Sequence, residues 1–159
     1  MKKTIVTVIL AGLTGAVFGA GGAGKVLFEK IDKIQLESDK HLSLFLMMNQ
    51  WVKIKQSGKE LSTYFEKNGY KKIAVYGMSH VGNTFIHELK NTRIVVAYGI
   101  DKNRDSTYTN LDIVSIEEDM EPVDAIVVTA ITYYEEIKKM LLTKVECPII
   151  SIEDILYEI

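Results

Sequence analysis

Short apolar runs alternate with amphipathic stretches from Lys71 to the end of the chain. "KIAVYG", "RIVVAYGID", "LDIVSIE" and "VDAIVVTA" read as buried strands, and "CPIISIEDILYEI" as a fifth strand running into a final helix. Residues 79–90 and Tyr133–Thr143 carry helical spacing between them. Continuous apolar strands separated by helices predict a parallel sheet covered on both faces. Right-handed crossovers then give an α/β, minimal Rossmann-like, doubly wound sheet of order 3-2-1-4-5 over residues 70–159.

Upstream the period is different. Residues 26–69 lack proline and read as one long helical linker, closed at Lys67-Asn68-Gly69 with Gly69 as a left-handed cap. Leu27, Ile31, Ile34, Phe45, Met48 and Val52 fall on a 3.5-residue seam, with Ser38 and His41 in the seam positions between. This seam either pairs protomers next to the membrane as a parallel coiled coil or helical hairpin, or packs on the following domain or a membrane surface. "LSLFLMM" is apolar on nearly every side and is expected to be well buried.

The first 25 residues are apolar in a third way. Thr4–Gly24 holds no charge, with Lys2 and Lys3 before it and Lys25 after. At about 1.5 Å per residue, a helix of this length matches a hydrocarbon core of roughly 30 Å. The expectation is a single-pass transmembrane anchor over residues 1–25. A cleaved signal peptide ending near Gly21-Gly22-Ala23 is the alternative. Lys25, Lys30, Lys33 and Lys40 follow the segment, which favours a cytoplasmic C-terminal domain at the cell membrane. Small residues at four-residue spacing (Gly12, Ala16, Ala20, Gly24) suit close approach of two membrane helices and hence a homo-oligomer.

Charge adds one exclusion and one hint. Residues 111–159 carry a net −9 while 71–110 carry +3. An acidic C-terminal third argues against a nucleic-acid partner, which calls for a basic face. One cysteine, Cys147, leaves no intrachain disulfide.

The chemistry concentrates in "YGMSHVG". Gly77 closes a strand and Gly82 opens a helix, as in G-x-G-x-x-G, where a helix N-terminus receives a pyrophosphate. The middle position is Ser79, whose hydroxymethyl group crowds the backbone approach of a dinucleotide but caps the helix or contacts phosphate. Asp101 ends the next strand, 24 residues after Gly77, where an acid accepts hydrogen bonds from ribose hydroxyls. The expected ligand contacts are Gly77, Met78, Ser79, His80, Gly82, Asp101, Lys102 and Thr129, with Arg104 nearby. No Cys/His spacing marks a metal site. "GAGGAGK" (Gly19–Lys25) fits a phosphate loop only until Val26, where the Mg²⁺-holding Ser or Thr belongs. Tyr134 and Lys138 form Y-x-x-x-K, the acid–base pair of short-chain dehydrogenases, but earlier in the chain than that family places it.

"GYKKIAVYGMSHVG", "VVAYGID" and "VDAIVVTAI" together resemble the small Rossmann-like domains of bacterial envelope-polysaccharide loci. They are similar to the N-terminal domain of sialic-acid and bacillosamine-type sugar O-acyltransferases. The resemblance covers roughly residues 62–159 and carries no hexapeptide-repeat β-helix. It implies a nucleotide-sugar pocket at Gly77, Ser79, Gly82 and Asp101, and not the acyl transfer. The resulting expectation is a membrane-anchored protein that binds a nucleotide or nucleotide-sugar and assists a polysaccharide-assembly enzyme, with no catalytic residue of its own. The alternatives are a small NAD(P)-dependent oxidoreductase or epimerase using Tyr134 and Lys138, and an interaction scaffold with no ligand.

Overall fold

The computed structural model describes residues 23–102 and 111–159, with side chains from Phe28 onward. The expected anchor at residues 1–25 therefore lies almost wholly outside the described residues, as does Arg104. Among the described residues no helix is long and apolar enough to cross a membrane.

The elements run α1 (Ala23–Gln56), α2 (Ser62–Asn68), β1 (Lys72–Tyr76), α3 (His80–Leu89), β2 (Val95–Ile100), β3 (Ile113–Val114), β4 (Ala125–Val128), a 3-10 turn (Ile131–Tyr133), α4 (Tyr134–Leu141), β5 (Ile149–Ser151) and α5 (Ile152–Glu158). The five strands form one sheet in the order β3-β2-β1-β4-β5, and every pairing is parallel. The expected α/β sheet and its order are thus what the chain forms.

Alternation along each strand sorts the core into two layers. Ile73, Val75, Ala125, Val127 and Ile150 face one side, with Phe65, Phe85, Leu89, Ile152 and Ile155 from the covering helices. Ala74, Tyr76, Ile126, Val128 and Ile149 face the other, against Ile137 and Leu141 of α4. Side chains on successive strand residues point to opposite faces, so strands buried on both sides must be apolar throughout. β4 meets that requirement, with all four residues buried.

The expected unbroken helix to Asn68 is corrected by the structure. Gly58 adopts a left-handed φ of 73° and ends α1. Its N–H donates to Lys55 O at 3.0 Å and that of Lys59 to Ile54 O at 3.2 Å, the paired bonds of a Schellman cap. Gly69 repeats the device at φ 75°, as expected, with Tyr70 N–H donating to Phe65 O at 2.9 Å. Two glycine caps, Gly58 four residues before α2 and Gly69 directly after it, thus interrupt the helical region where one was anticipated.

By its contacts the chain divides into two units, residues 1–42 and 43–159. Within the second, α1 is part of the sheet's covering layer: Met47, Trp51 and Ile54 are buried in the first core layer, and Gln50 Nε2 donates to Leu156 O at 3.1 Å. The seam residues are not the ones that pack. Phe45, Met48 and Val52 are exposed, as are Leu42 and Leu46 of the segment expected to be buried. In the first unit Ile31 and Ile34 are exposed as well, while the side chain of Leu27 is outside the described residues. A helix with apolar residues all round has two candidate faces, and the domain selects Met47, Trp51 and Ile54.

One carboxylate ties the sheet's lower edge. Asp124 Oδ2 accepts from the N–H groups of Lys71 at 2.7 Å and Lys72 at 2.8 Å, joining the entry of β4 to that of β1. The Lys72 and Lys71 amides hold this carboxyl below its ordinary value of 3.8. Ionised Asp124 therefore contributes stability that is fully present above pH about 3.8 and is lost as pH falls through the lowered folded value. We expect Asp124→Ala to lower the urea midpoint at pH 7, and the gap to the parent to close in acid below that range. A gap of constant size across the titration would show that the carboxylate charge contributes nothing.

Candidate functional site

Parallel strands place all their carboxyl ends on one edge, and three of those ends meet at the first turn. Gly77 N–H donates to Ile100 O at 2.9 Å and Thr129 N–H to Tyr76 O at 2.9 Å, so the ends of β2, β1 and β4 are laced side by side. Gly77 then turns the chain with φ 96°, in the left-handed region. Met78 and Ser79 follow, and α3 begins at His80.

The turn is closed by side chains on both flanks. Asp101 Oδ2 accepts from Met78 N–H at 2.7 Å. The Thr129 hydroxyl lies 2.6 Å from Gly77 O and 3.1 Å from Tyr76 O, donating its one proton into that pair of carbonyls. From below, Asn83 Nδ2 reaches Met78 O and Ser79 O, each at 3.1 Å. Gly82 lets helix and turn touch: a Cβ there would stand 2.0 Å from Gly77 O. Gly77 itself has Thr129 Oγ1 2.9 Å from where its own Cβ would be.

Gly77, Met78, Gly82, Asp101 and Thr129 therefore form one constellation, held mainly by bonds among themselves. The Met78 side chain is 1% exposed and belongs to the core, so only its backbone faces the turn's surroundings. Gly99 makes room for it, since a Cβ there would sit 2.7 Å from Met78 Sδ. Thr129, also 1% exposed, is a turn-holding residue. Ser79 and His80 are exposed at the start of α3, and Lys102 is exposed beyond Asp101. Ser79 occupies the N-cap position in an extended conformation, yet its hydroxyl makes no capping bond. The first N–H groups of any α-helix lack intrahelical acceptors, and here the first intrahelical bond of α3 is Asn83 N–H to Ser79 O, at 3.0 Å.

Two features were outside the reach of the sequence. Asn83 is a loop-holding residue, and its Oδ1 is buried without a hydrogen-bond partner among the described residues. The only early signal is its place one residue after Gly82. Tyr76 lies beneath the turn, and burial, then the Asp101 carboxylate, push its phenol above the usual value.

The Y-x-x-x-K side chains lie against each other on α4. Tyr134 Oη donates to Ile149 O at 2.9 Å, tying α4 to β5. Lys138 Nζ lies 5.2 Å from the centre of the same ring, and its hydrogen bond to Tyr134 raises the ammonium's pKa. In the phosphate-loop look-alike, Gly24 and Lys25 are inside α1, and Gly19–Gly22 lie outside the described residues.

No curated protein and no solved structure matches the chain. A family model described as C2185-like, N-terminal, matches residues 69–149, from the Gly69 cap to the first residue of β5. That span holds the glycine turn, Asp101, Thr129 and four of the five strands, and the chain belongs to this C2185-like N-terminal family.

Proposed function

We propose that the domain binds a nucleotide-containing anion, a nucleotide-sugar foremost, at the start of α3, and that it serves as a non-catalytic accessory of polysaccharide assembly held at the cytoplasmic side of the membrane by residues 1–25. The observation that carries the binding reading is Ser79: exposed, at the N-cap position, with its hydroxyl not engaged in capping, at the carboxyl edge of a parallel sheet. Helix N-termini at that edge suit phosphate, because N–H donors and the helix dipole both favour negative charge. The envelope-polysaccharide assignment rests on the sequence resemblance, and the anchor on the uncharged run Thr4–Gly24.

Asp101 narrows the ligand. One of its oxygens already holds Met78 N–H, which removes one backbone donor from a phosphate and leaves less of the carboxylate for a ribose. That weighs against NAD(P), whose adenosine ribose relies on such an acid.

Titration calorimetry of the full chain in neutral detergent against UDP-sugars, NAD(P), ATP and coenzyme A tests the reading. The expected result is saturable binding of a UDP-sugar, weakened at least about tenfold by Ser79→Asp, which sets a negative charge where phosphate sits. Ser79 is exposed, so the variant should keep the parent's thermal transition. Silence across the panel overturns the proposal. The full chain is required because a fragment starting at residue 62 strips Trp51 and Met47 from the core.

A second reading is favoured by a separate observation. Asp101 and Thr129 are engaged in holding the turn, as expected of a scaffold whose working surface is elsewhere. Binding lost in Asp101→Asn while partner capture persists would separate the two.

A further inference from the structure

We propose that residues 43–56 of α1 form a hinged strap that braces α3, so that the seating of this strap and the shape of the glycine turn are coupled. The strap lies within the second unit, 43–159. It is seated by Met47, Trp51 and Ile54, which are buried in the first core layer. Gln50 Nε2 adds its bond to Leu156 O at 3.1 Å, and Lys55 Nζ forms an ion pair with Glu88 Oε1 of α3.

Gly58 is the hinge. Its left-handed φ of 73° ends α1, and a Cβ built there meets nothing within 4 Å, which leaves the backbone room to change course. Beyond the hinge the fully buried Leu61 and Phe65 hold α2 in place. The strap therefore pivots against a fixed neighbour. It also precedes the span 69–149 by which the family is recognised.

The coupling runs through α3, ten residues long and thus a stiff rod of about 15 Å. At its start Gly82 rests against the turn, where a Cβ would stand 2.0 Å from Gly77 O. One helical turn on, Phe85 meets the edge of Trp51, with ring centroids 6.5 Å apart and planes at 69°. Three residues later, on the same face, Glu88 takes Lys55. Lifting the strap strips Trp51 from one side of Phe85, and a close-packed interior closes such a gap. α3 then shifts toward it and draws Gly82 off Gly77 O. On the binding reading given above, on which this step rests, the same shift carries the first N–H groups of α3 away from the ligand. Reciprocity follows: a ligand that prefers the seated form tightens the strap.

The chain holds a single tryptophan, so emission from Trp51 reports the strap directly. In the full chain in neutral detergent, with no ligand present, Gly82→Ala should shift the native emission to the red. An unshifted emission overturns the coupling whether or not a ligand is found. Against a UDP-sugar, Glu88→Lys should weaken calorimetric binding about fivefold and redden Trp51, although it adds positive charge. Lys55→Glu plus Glu88→Lys rebuilds the pair in reverse and should restore both readings. Parental or tighter binding by Glu88→Lys overturns the link between strap and ligand. Silence of the parent across the ligand panel overturns the binding reading instead, and the Gly82→Ala emission then decides the coupling by itself.

Discussion

Gly82→Ala is expected to destabilise the domain by about 2–4 kcal/mol. The sign is the informative part. In an exposed helix interior, replacing glycine by alanine stabilises by up to ~1 kcal/mol, because it lowers the entropy lost on folding. At Gly82 the added Cβ would stand 2.0 Å from Gly77 O and 3.1 Å from Gly77 C, both backbone atoms with nowhere to go. Relief requires moving the turn, which is pinned by Asp101 on Met78 N–H and by Thr129 on Gly77 O. The urea midpoint reads the effect. A midpoint at or above the parent's would show that α3 and the turn do not press on each other. Gly77→Ala should cost less, about 1–2 kcal/mol for the left-handed φ of 96°, and the two losses should not add, since both displace the same turn.

Phe85→Ala should cost about 3–5 kcal/mol, the range for removing a buried aromatic ring. Phe85 is fully buried, and its ring sits between Trp51 at 6.5 Å and Phe65 at 5.9 Å. It thereby joins α3 to both α1 and α2. Against a total stability of about 5–15 kcal/mol, such a loss removes a large fraction of the margin. It also predicts a spectroscopic signature: Trp51, now 3% exposed, gains solvent and its emission shifts to the red in the native state. An unshifted emission with a small change in midpoint would mean that the helical layer holds Trp51 without this ring.

Both substitutions act where chain segments meet, and that is the boundary between what was legible in the residues and what was not. The strands were legible because a strand buried on both faces must be apolar at successive positions, and "KIAVY" and "AIVV" meet that rule locally. The glycine turn was legible for the same kind of reason, since a left-handed residue after a buried strand calls for glycine. The direction of α1's packing was not. "LSLFLMM" offers apolar residues all round, and period alone ranks the line through Phe45, Met48 and Val52 above the line through Met47, Trp51 and Ile54 that the sheet in fact uses. The Ser57-Gly58 stop was passed over because one glycine in a long proline-free run does not reveal which φ it will take.

The candidate site divides in the same way. Sequence spacing brought Gly77, Gly82, Asp101 and Thr129 to one turn, because strand ends in a parallel sheet share an edge. It did not assign their tasks. Asp101 bonds a backbone amide 23 positions away and Thr129 a carbonyl 52 positions away, and whether a polar side chain serves a ligand or its own loop depends on distances that only the closed chain sets. The sequence by itself determined the sheet, its order, the position of the turn and an apolar seam on α1. The tertiary structure alone decided which helix face is covered, which site side chains are already engaged, and that Ser79 is left with an uncommitted capping hydroxyl. Periodicity is a property of neighbours along the chain, whereas burial and hydrogen-bond partnership belong to residues that folding brings together.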